Sequence, residues 1–379
     1  MEKLRPNSDI EILRAFAIIM VLVQHYPSLY FWSDHSFFTK VNTFISFWSG
    51  VDLFLCISGF VVGCSLISAF DKARSNSSQT KKIISSFFIK RVFRLLPTSV
   101  FWIAVMLVMT FVYNISGAFG TPKWNLYQAL SVLTYNYNYL SAYMSDNFLP
   151  TTFGPYWSLN LEEQFYFIFP FFLLATKPNH RVKILLAVIA LQFFLHRQGT
   201  ILLNFRLDAI SWGVILSILF MDGKLFKYDP VVLSKKYASL TITFIILAYL
   251  MLSIPALHES RFMIGLLGLA SAVLVFTATF NKHYIYCPVM FRKPMLWVGS
   301  RSYAIYVIHM PVIYFIQEST IRHYVAIGQG PSKSVLLCIV MTLSALLLTA
   351  ILVEVNYRLI EVPLRNYGRK LANRMLAIK

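Results

Sequence analysis

Acidic residues are few in this chain. Only 16 Asp and Glu stand against 34 Lys and Arg in 379 residues, and the four charged types together make up 13%. A soluble domain carries about 25% charged residues, so a fold wrapped in water around a single core is excluded. Cysteine is scarce as well, at four. Cys56, Cys64 and Cys338 fall inside apolar runs and Cys287 in a basic stretch, which argues against a disulfide framework and for reduced thiols. No cleaved leader is expected, because Arg14 interrupts the start of the first apolar run, no small-x-small site follows, and the run continues to about Tyr30. There is no repeat of fixed period and no expected metal site. The stretch after the last apolar run is too short for a second folded domain, so no extracytoplasmic domain is expected there.

What is abundant is hydrophobic surface, at 57% of residues. It gathers in ten runs near 10–30, 44–70, 95–113, 156–175, 183–197, 203–221, 237–255, 262–280, 298–317 and 334–357. Most reach the roughly 17–25 residues with which a helix crosses a bilayer; the run at 183–197 is short. The fold class expected is all-α: a polytopic membrane helical bundle of about ten transmembrane helices, one domain over residues 1–379. The excess of positive charge sorts by side. Segments 1–14, 71–94, 176–183, 221–236, 281–301 and 356–379 hold 27 of the 34 Lys and Arg. The alternating segments 31–44, 113–155, 196–206, 255–262 and 318–333 hold the other 7. The positive-inside rule places the first set, and with it both termini, in the cytoplasm of a cell (inner) membrane. Charge divided among six loops is not the continuous basic surface that nucleic acid requires, so that partner is not expected.

Ionisable side chains within such runs cost at least about 2.5–3.5 kcal/mol each, so each one needs a reason. Arg14 and His25 are eleven residues apart. At about 100° per residue they share one helical face, roughly 16 Å apart along the axis. Asp52 opens the second run in Gly50-Val51-Asp52-Leu53-Phe54, which continues to Ser58-Gly59-Phe60. Helix packing explains the small residues but not Asp52. Arg91 and Arg94, at i and i+3, sit where the third run begins and can hold phosphate bidentately or simply mark the cytoplasmic side. Trp157-Ser158-Leu159-Asn160-Leu161-Glu162-Glu163-Gln164 opens the fourth run, and its adjacent carboxylates cannot face the same way. Ser302, Tyr306 and His309 share a face of the ninth. Glu354, Arg358 and Glu361 are spaced as an intrahelical ladder, a structural role. The Tyr- and Asn-rich segment 114–155 reads as an outer loop, whose rings either sit at the bilayer interface or contact sugar.

Taken together, these blocks resemble the acyltransferase family 3 proteins, bacterial integral-membrane O-acyltransferases of cell-surface polysaccharides. The blocks are Arg14–ten residues–His25, the Gly-Val-Asp-Leu-Phe…Ser-Gly-Phe segment, Arg91-x-x-Arg94, the block at 157–166, and Ser-Tyr…His-x-Pro at 302–311. Val362 and Asn160 depart from the commoner Arg and Ser of the family. The resemblance implies transfer of an acyl group, usually acetyl from acetyl-CoA, to a hydroxyl of a surface or lipid-linked polysaccharide. Acetyl-CoA would be a donor substrate, with no resident cofactor. It implies that Arg14, Arg91 and Arg94 receive the acyl-CoA phosphates, and that Trp157, Ser302 and His309 contribute to substrate or donor binding. His25 is then the base, or a transient acyl carrier. Glu162, Asp52 or the neighbouring Glu163 would orient it as the acid does in a catalytic triad, Glu162 being favoured. A glycan or acyl-donor transporter would share the spans and buried charges, but matched broken helices and inverted halves are not found.

Overall fold

The computed structural model describes residues 7–30, 32, 44–195, 197, 200–257 and 260–377. Much of the first outer segment, 31–44, lies outside the described residues. Among those described there is no strand. In chain order the helices are α1 Ser8–His25, α2 Gly50–Ala73, α3 Ser77–Val112, α4 Pro122–Leu133, α5 Tyr137–Asp146, α6 Tyr156–Ala175 and α7 Pro178–Phe194. They continue as α8 Leu207–Met221, α9 Lys236–Leu257, α10 Met263–Thr279, α11 Val289–Ser300, α12 Ser302–Ala326, α13 Val335–Asn356 and α14 Val362–Ala377. Among the described residues, five stretches are long and apolar enough to cross a bilayer: Ser8–Tyr30, Gly50–Ala73, Ser77–Val112, Ile201–Met221 and Val335–Ala377. Lys236–Leu252 and Met263–Thr279 are apolar but shorter. Helices α6 and α12 have the length, at 20 and 25 residues, but dilute it with inward polar side chains.

Local chemistry sets several boundaries. Asn7 caps α1 by accepting hydrogen bonds from the amides of Asp9 and Ile10 at 3.0 Å each, and donates 2.7 Å to the carbonyl of Ala278. Helix α2 packs closely against α8. A Cβ added to Gly59 would stand 2.2 Å from the carbonyl oxygen of Ile210, and one on Gly213 would stand 2.0 Å from that of Cys56. These glycines, with Gly63 four residues after Gly59, let two backbones touch.

Two boundaries differ from those the runs predict. The third helix begins at Ser77, not near 95, and runs through Pro97 without a break. Composition changes there from amphipathic to apolar, but the backbone does not change. The ring removes one backbone donor, and Tyr303 Oη adds a hydrogen bond to the nearby carbonyl of Leu95 at 2.7 Å. Segment 114–155, expected as an outer loop, is also not a plain loop. It forms the hairpin α4–α5, whose turn packs beside the first half of α6. Asn160 accepts from the amide of Tyr137 at 2.9 Å and donates to the carbonyl of Val132 at 3.2 Å. Gln164 donates to the carbonyl of Tyr135 at 2.7 Å. Tyr137 is fully buried, with its hydroxyl on Gln128 at 2.9 Å, while Tyr139 stays exposed.

Segments that the charge count assigns to one side touch one another. Arg181 grips both carboxylate oxygens of Asp71 at 2.7 Å each. Asp9 accepts from the amide of Tyr284 at 3.0 Å. Lys282 hydrogen-bonds Asp229 and holds that carboxyl below the usual carboxylate range. From the other set, Glu318 accepts from the amides of Ile115 at 2.6 Å and Ser116 at 2.9 Å. At the end of the chain the expected ladder is split by a π turn, Tyr357–Glu361: Arg358 pairs with Glu354 at 2.6 Å, whereas Glu361 pairs with Arg365 at 3.1 Å. Beyond it α14 lies along α3, with Gly368 against Phe93.

Candidate active site

Helices α1, α2, α3, α6 and α12 converge on an open cavity of about 700 Å³, its mouth included. Arg14 enters from α1, Ser58 from α2, Arg91 and Arg94 from α3, Glu162 and Tyr166 from α6, and Ser302, Tyr303 and Tyr306 from α12. The three arginines expected at one site are therefore brought together, with Ser302. Arg14 is paired with Glu11 at 2.6 Å. Arg91 lies over the ring of Tyr166, its guanidinium carbon 4.8 Å from the centroid. The Nε of Arg94 is buried and has no protein acceptor. Glu162 accepts hydrogen bonds from Ser58 and Tyr166, whose hydroxyl oxygens are 3.1 Å apart. The cavity thus carries three guanidiniums and a single carboxylate ringed by hydroxyls.

Tyr306 links this cavity to the histidines. Its hydroxyl meets Ser158 at 2.6 Å, and its ring stands 5.9 Å from that of His309. His309 is fully buried, and its Nε2 lies 3.3 Å from Nδ1 of His25. Each ring also faces a carbonyl of its own helix: His25 Nδ1 is 2.9 Å from Val21 O, and His309 Nδ1 is 3.2 Å from Ile305 O. With one proton assigned to each Nδ1, that of His309 goes to Ile305 O, and that of His25 is shared between Val21 O, the nearer acceptor, and Nε2 of His309. His309 Nε2 then accepts from His25, and the lone pair on His25 Nε2 is left for chemistry.

The expected orienting carboxylate is not among the contacts that the structure shows for His25. The side chain that the structure places on His25 is His309, while Glu162 is engaged by Ser58 and Tyr166. Glu163 accepts from Asn160 at 2.9 Å. Asp52 is fully buried against Arg206, Nη1 to Oδ2 at 2.6 Å. That guanidinium is stacked 3.4 Å above the ring centroid of Trp48 and lies 5.1 Å from that of Trp157. Trp157 thus covers a buried ion pair rather than lining the cavity.

Reading the sequence as loop and span missed Arg206 and its neighbour Arg197. Both were counted as outer-loop charge, yet both are buried, Arg197 on Asp208 at 2.6 Å. The signal available was Asp208 itself, an acid just inside an apolar run and two residues after Arg206. The departure at Asn160 also has a structural reason, since that amide holds the α4–α5 turn.

The acyltransferase domain model of family 3 matches residues 7–353. Among curated proteins, the O-acetyltransferase OatA of Staphylococcus aureus is 28% identical over 383 residues, covering 94% of this chain and 57% of the relative. The peptidoglycan O-acetyltransferase OatA of Listeria monocytogenes is 28% identical over 385 residues, covering 95% of this chain and 56% of the relative. The chain therefore spans little more than half the length of these relatives. No solved structure matches it. With its motifs, its helical bundle and a family model matching nearly its whole length, the chain belongs to acyltransferase family 3.

Proposed function

We propose that the protein is an O-acyltransferase of a cell membrane. In this reading it moves an acetyl group from acetyl-CoA to a hydroxyl of a surface or lipid-linked polysaccharide. The chain crosses the bilayer about ten times, with both ends in the cytoplasm. The observation that carries the reading is the cavity in which three arginines from two helices converge, joined through Tyr306 to a histidine with a free ring nitrogen. Arg14, Arg91 and Arg94 take the phosphates of the donor, since guanidinium forks match phosphate oxygens. Ser302 lines the route of the donor's thioester end. Glu162 positions Tyr166 beneath Arg91, and Asp52 holds Arg206 in place.

The chemistry follows from the geometry of His25. Its Nε2 accepts the proton of the acceptor hydroxyl as the oxygen attacks the thioester carbonyl. The tetrahedral intermediate collapses with loss of the CoA thiolate, which takes the proton from the imidazolium, so the base is regenerated. His309 acts as a positioning residue, keeping the Nδ1 proton of His25 directed away from the reacting atoms. The names of the relatives, both O-acetyltransferases, support acetyl as the group moved.

The test is transfer of labelled acetyl from acetyl-CoA to glycan by the purified protein in vesicles. Label in alkali-labile ester on the glycan is expected. Glycan or donor crossing the vesicle wall with no ester formed would replace this reading by a transporter.

A further inference from the structure

Helix α4 is built inside out. Toward the bundle it turns Asn125, Gln128, Ala129 and Val132, all buried, at the i, i+3, i+4 and i+7 positions of one face. Away from the bundle it turns Leu126, Tyr127, Leu130 and Leu133, which are 63%, 52%, 59% and 41% exposed. A helix on a water-facing surface has the opposite pattern. Segment 114–155 holds two charged residues, Lys123 at the start of α4 and Asp146 at the end of α5, with none between them.

Contacts along α4 fix how the hairpin lies. Asn125 accepts from Thr152, and Gln128 accepts from the amide of Phe153 at 3.1 Å. Farther on, the carbonyl of Val132 meets Asn160 and that of Tyr135 meets Gln164. The partners advance in step with α4, so it runs beside α6 in the same direction. Its turn stands opposite the ninth residue of α6, about 12 Å along that axis. The same turn shares a groove with Leu96, about 24 Å along α3 from its last residue.

The irregular backbone of the segment is bonded by protein. Asn114 accepts from the amide of Phe119 at 2.9 Å and donates to the carbonyl of Gly120 at 2.7 Å. Gln128 donates to the carbonyl of Pro150 at 3.3 Å, and Tyr314 to that of Thr152 at 3.1 Å. Water would satisfy such groups without any dedicated side chain, whereas hydrocarbon satisfies none of them.

We propose that α4–α5 is a re-entrant hairpin, entering the bilayer from the outer side and returning to it, with the outward face of α4 against the hydrocarbon chains of lipid. The inference rests on the bilayer crossings in the reading above and is independent of acyl transfer. Lipid is the occupant because the face continues an apolar surface already exposed on α3, where α4 packs, at Val108, Phe111 and Val112. Both charges of the segment stand at the mouth of the hairpin, where headgroups and water can meet them. Lys123 also lies 5.9 Å from the ring of Trp124, an amphipathic side chain suited to that level.

Introduced cysteines read the medium that covers each face. Lys123→Cys, Leu126→Cys, Leu130→Cys, Ser145→Cys and Val108→Cys proteins go into vesicles of phosphatidylethanolamine and phosphatidylglycerol. A charged maleimide is supplied on both sides, with the unaltered protein as background. Lys123→Cys and Ser145→Cys should label in the intact vesicle. Leu126→Cys, Leu130→Cys and Val108→Cys should label only after SDS unfolds the protein. Labelling at Leu126 and Leu130 with Val108→Cys protected overturns the proposal and leaves the crossings standing. If Val108→Cys labels too, the crossing of α3 fails and the proposal falls with it.

A phosphatidylcholine with a diazirine in its acyl chain then separates lipid from protein cover on the unaltered chain. Crosslinks within residues 122–133 are expected. Protection of Leu126 and Leu130 without any lipid crosslink there would mean that a protein covers the face, and would overturn the proposal.

Discussion

His25, the last residue of α1, and His309, in the middle of α12, stand with Nδ1 and Nε2 3.3 Å apart. An imidazole therefore occupies the place where a triad would put an acid. His25→Ala should lower acetyl transfer by about a hundredfold or more, the scale of a lost general base. His309→Ala should lower kcat with little change in KM. His309→Gln should recover part of that loss, because its amide oxygen can still accept the Nδ1 proton. Equal loss in both His309 variants would assign the ring a packing role only.

Arg91 and Arg94 face the same cavity, so their joint removal should act on donor binding. Arg91→Ala with Arg94→Ala is expected to raise the KM for acetyl-CoA by about tenfold or more, since charge-assisted hydrogen bonds contribute about 1.5–3 kcal/mol each. Steady-state rates against acetyl-CoA at saturating acceptor check this. An unchanged KM would leave the pair as topology signals.

Asp52 and Arg206 separate a structural carboxylate from a catalytic one. Asp52→Asn strands a buried guanidinium and should destabilise the protein by about 3–5 kcal/mol. Asp52→Leu combined with Arg206→Met removes both charges and should restore most of the stability. Thermal unfolding in detergent reads the first effect, and activity per folded molecule reads the second. A stable double variant without activity would return Asp52 to the chemistry.

The contact between α2 and α8 allows no side chain at Gly213. Gly213→Val places atoms against the carbonyl of Cys56 and should cost at least about 1–3 kcal/mol. Gly330→Ala, where a methyl group meets nothing within 4 Å, is the matched control. The yield of folded protein from the membrane compares the two.

Reporter fusions test the sidedness derived from charge. Those placed after Asn76 and Asp229 should report cytoplasm, and those after Gly117 and Gly328 the outside. A cytoplasmic report from Gly117 would invert the arrangement on which donor access depends.

Much of this site was legible because helical periodicity is local. The shared face of Ser302, Tyr306 and His309 follows from spacing alone, as does the placement of Arg14 and His25 on one helix. Partners are not local. His309 is 284 positions from His25, and Arg206 is 154 from Asp52. Nothing in the composition around either residue encodes that distance. Arg206 was hidden for a further reason: a charge between two apolar runs looks the same whether water or a carboxylate receives it. The start of α3 was misplaced because hydropathy marks where lipid begins, whereas hydrogen bonding marks where the helix begins.

The α4–α5 turn also fixes an order of assembly. The amide of Tyr137 and the carbonyls of Val132 and Tyr135 are satisfied by Asn160 and Gln164, which leave the ribosome more than twenty residues later. The carbonyl of Val132 also accepts locally from the amide of Tyr135 at 3.1 Å, but until α6 is in place the amide of Tyr137 and the carbonyl of Tyr135 have only water or lipid to meet, and lipid satisfies neither. The hairpin is therefore expected to settle only once α6 stands beside it. Asn160→Ala would then show its effect first in newborn chains, as a lengthened interval of protease sensitivity between α4 and α5, even if the mature protein were stable.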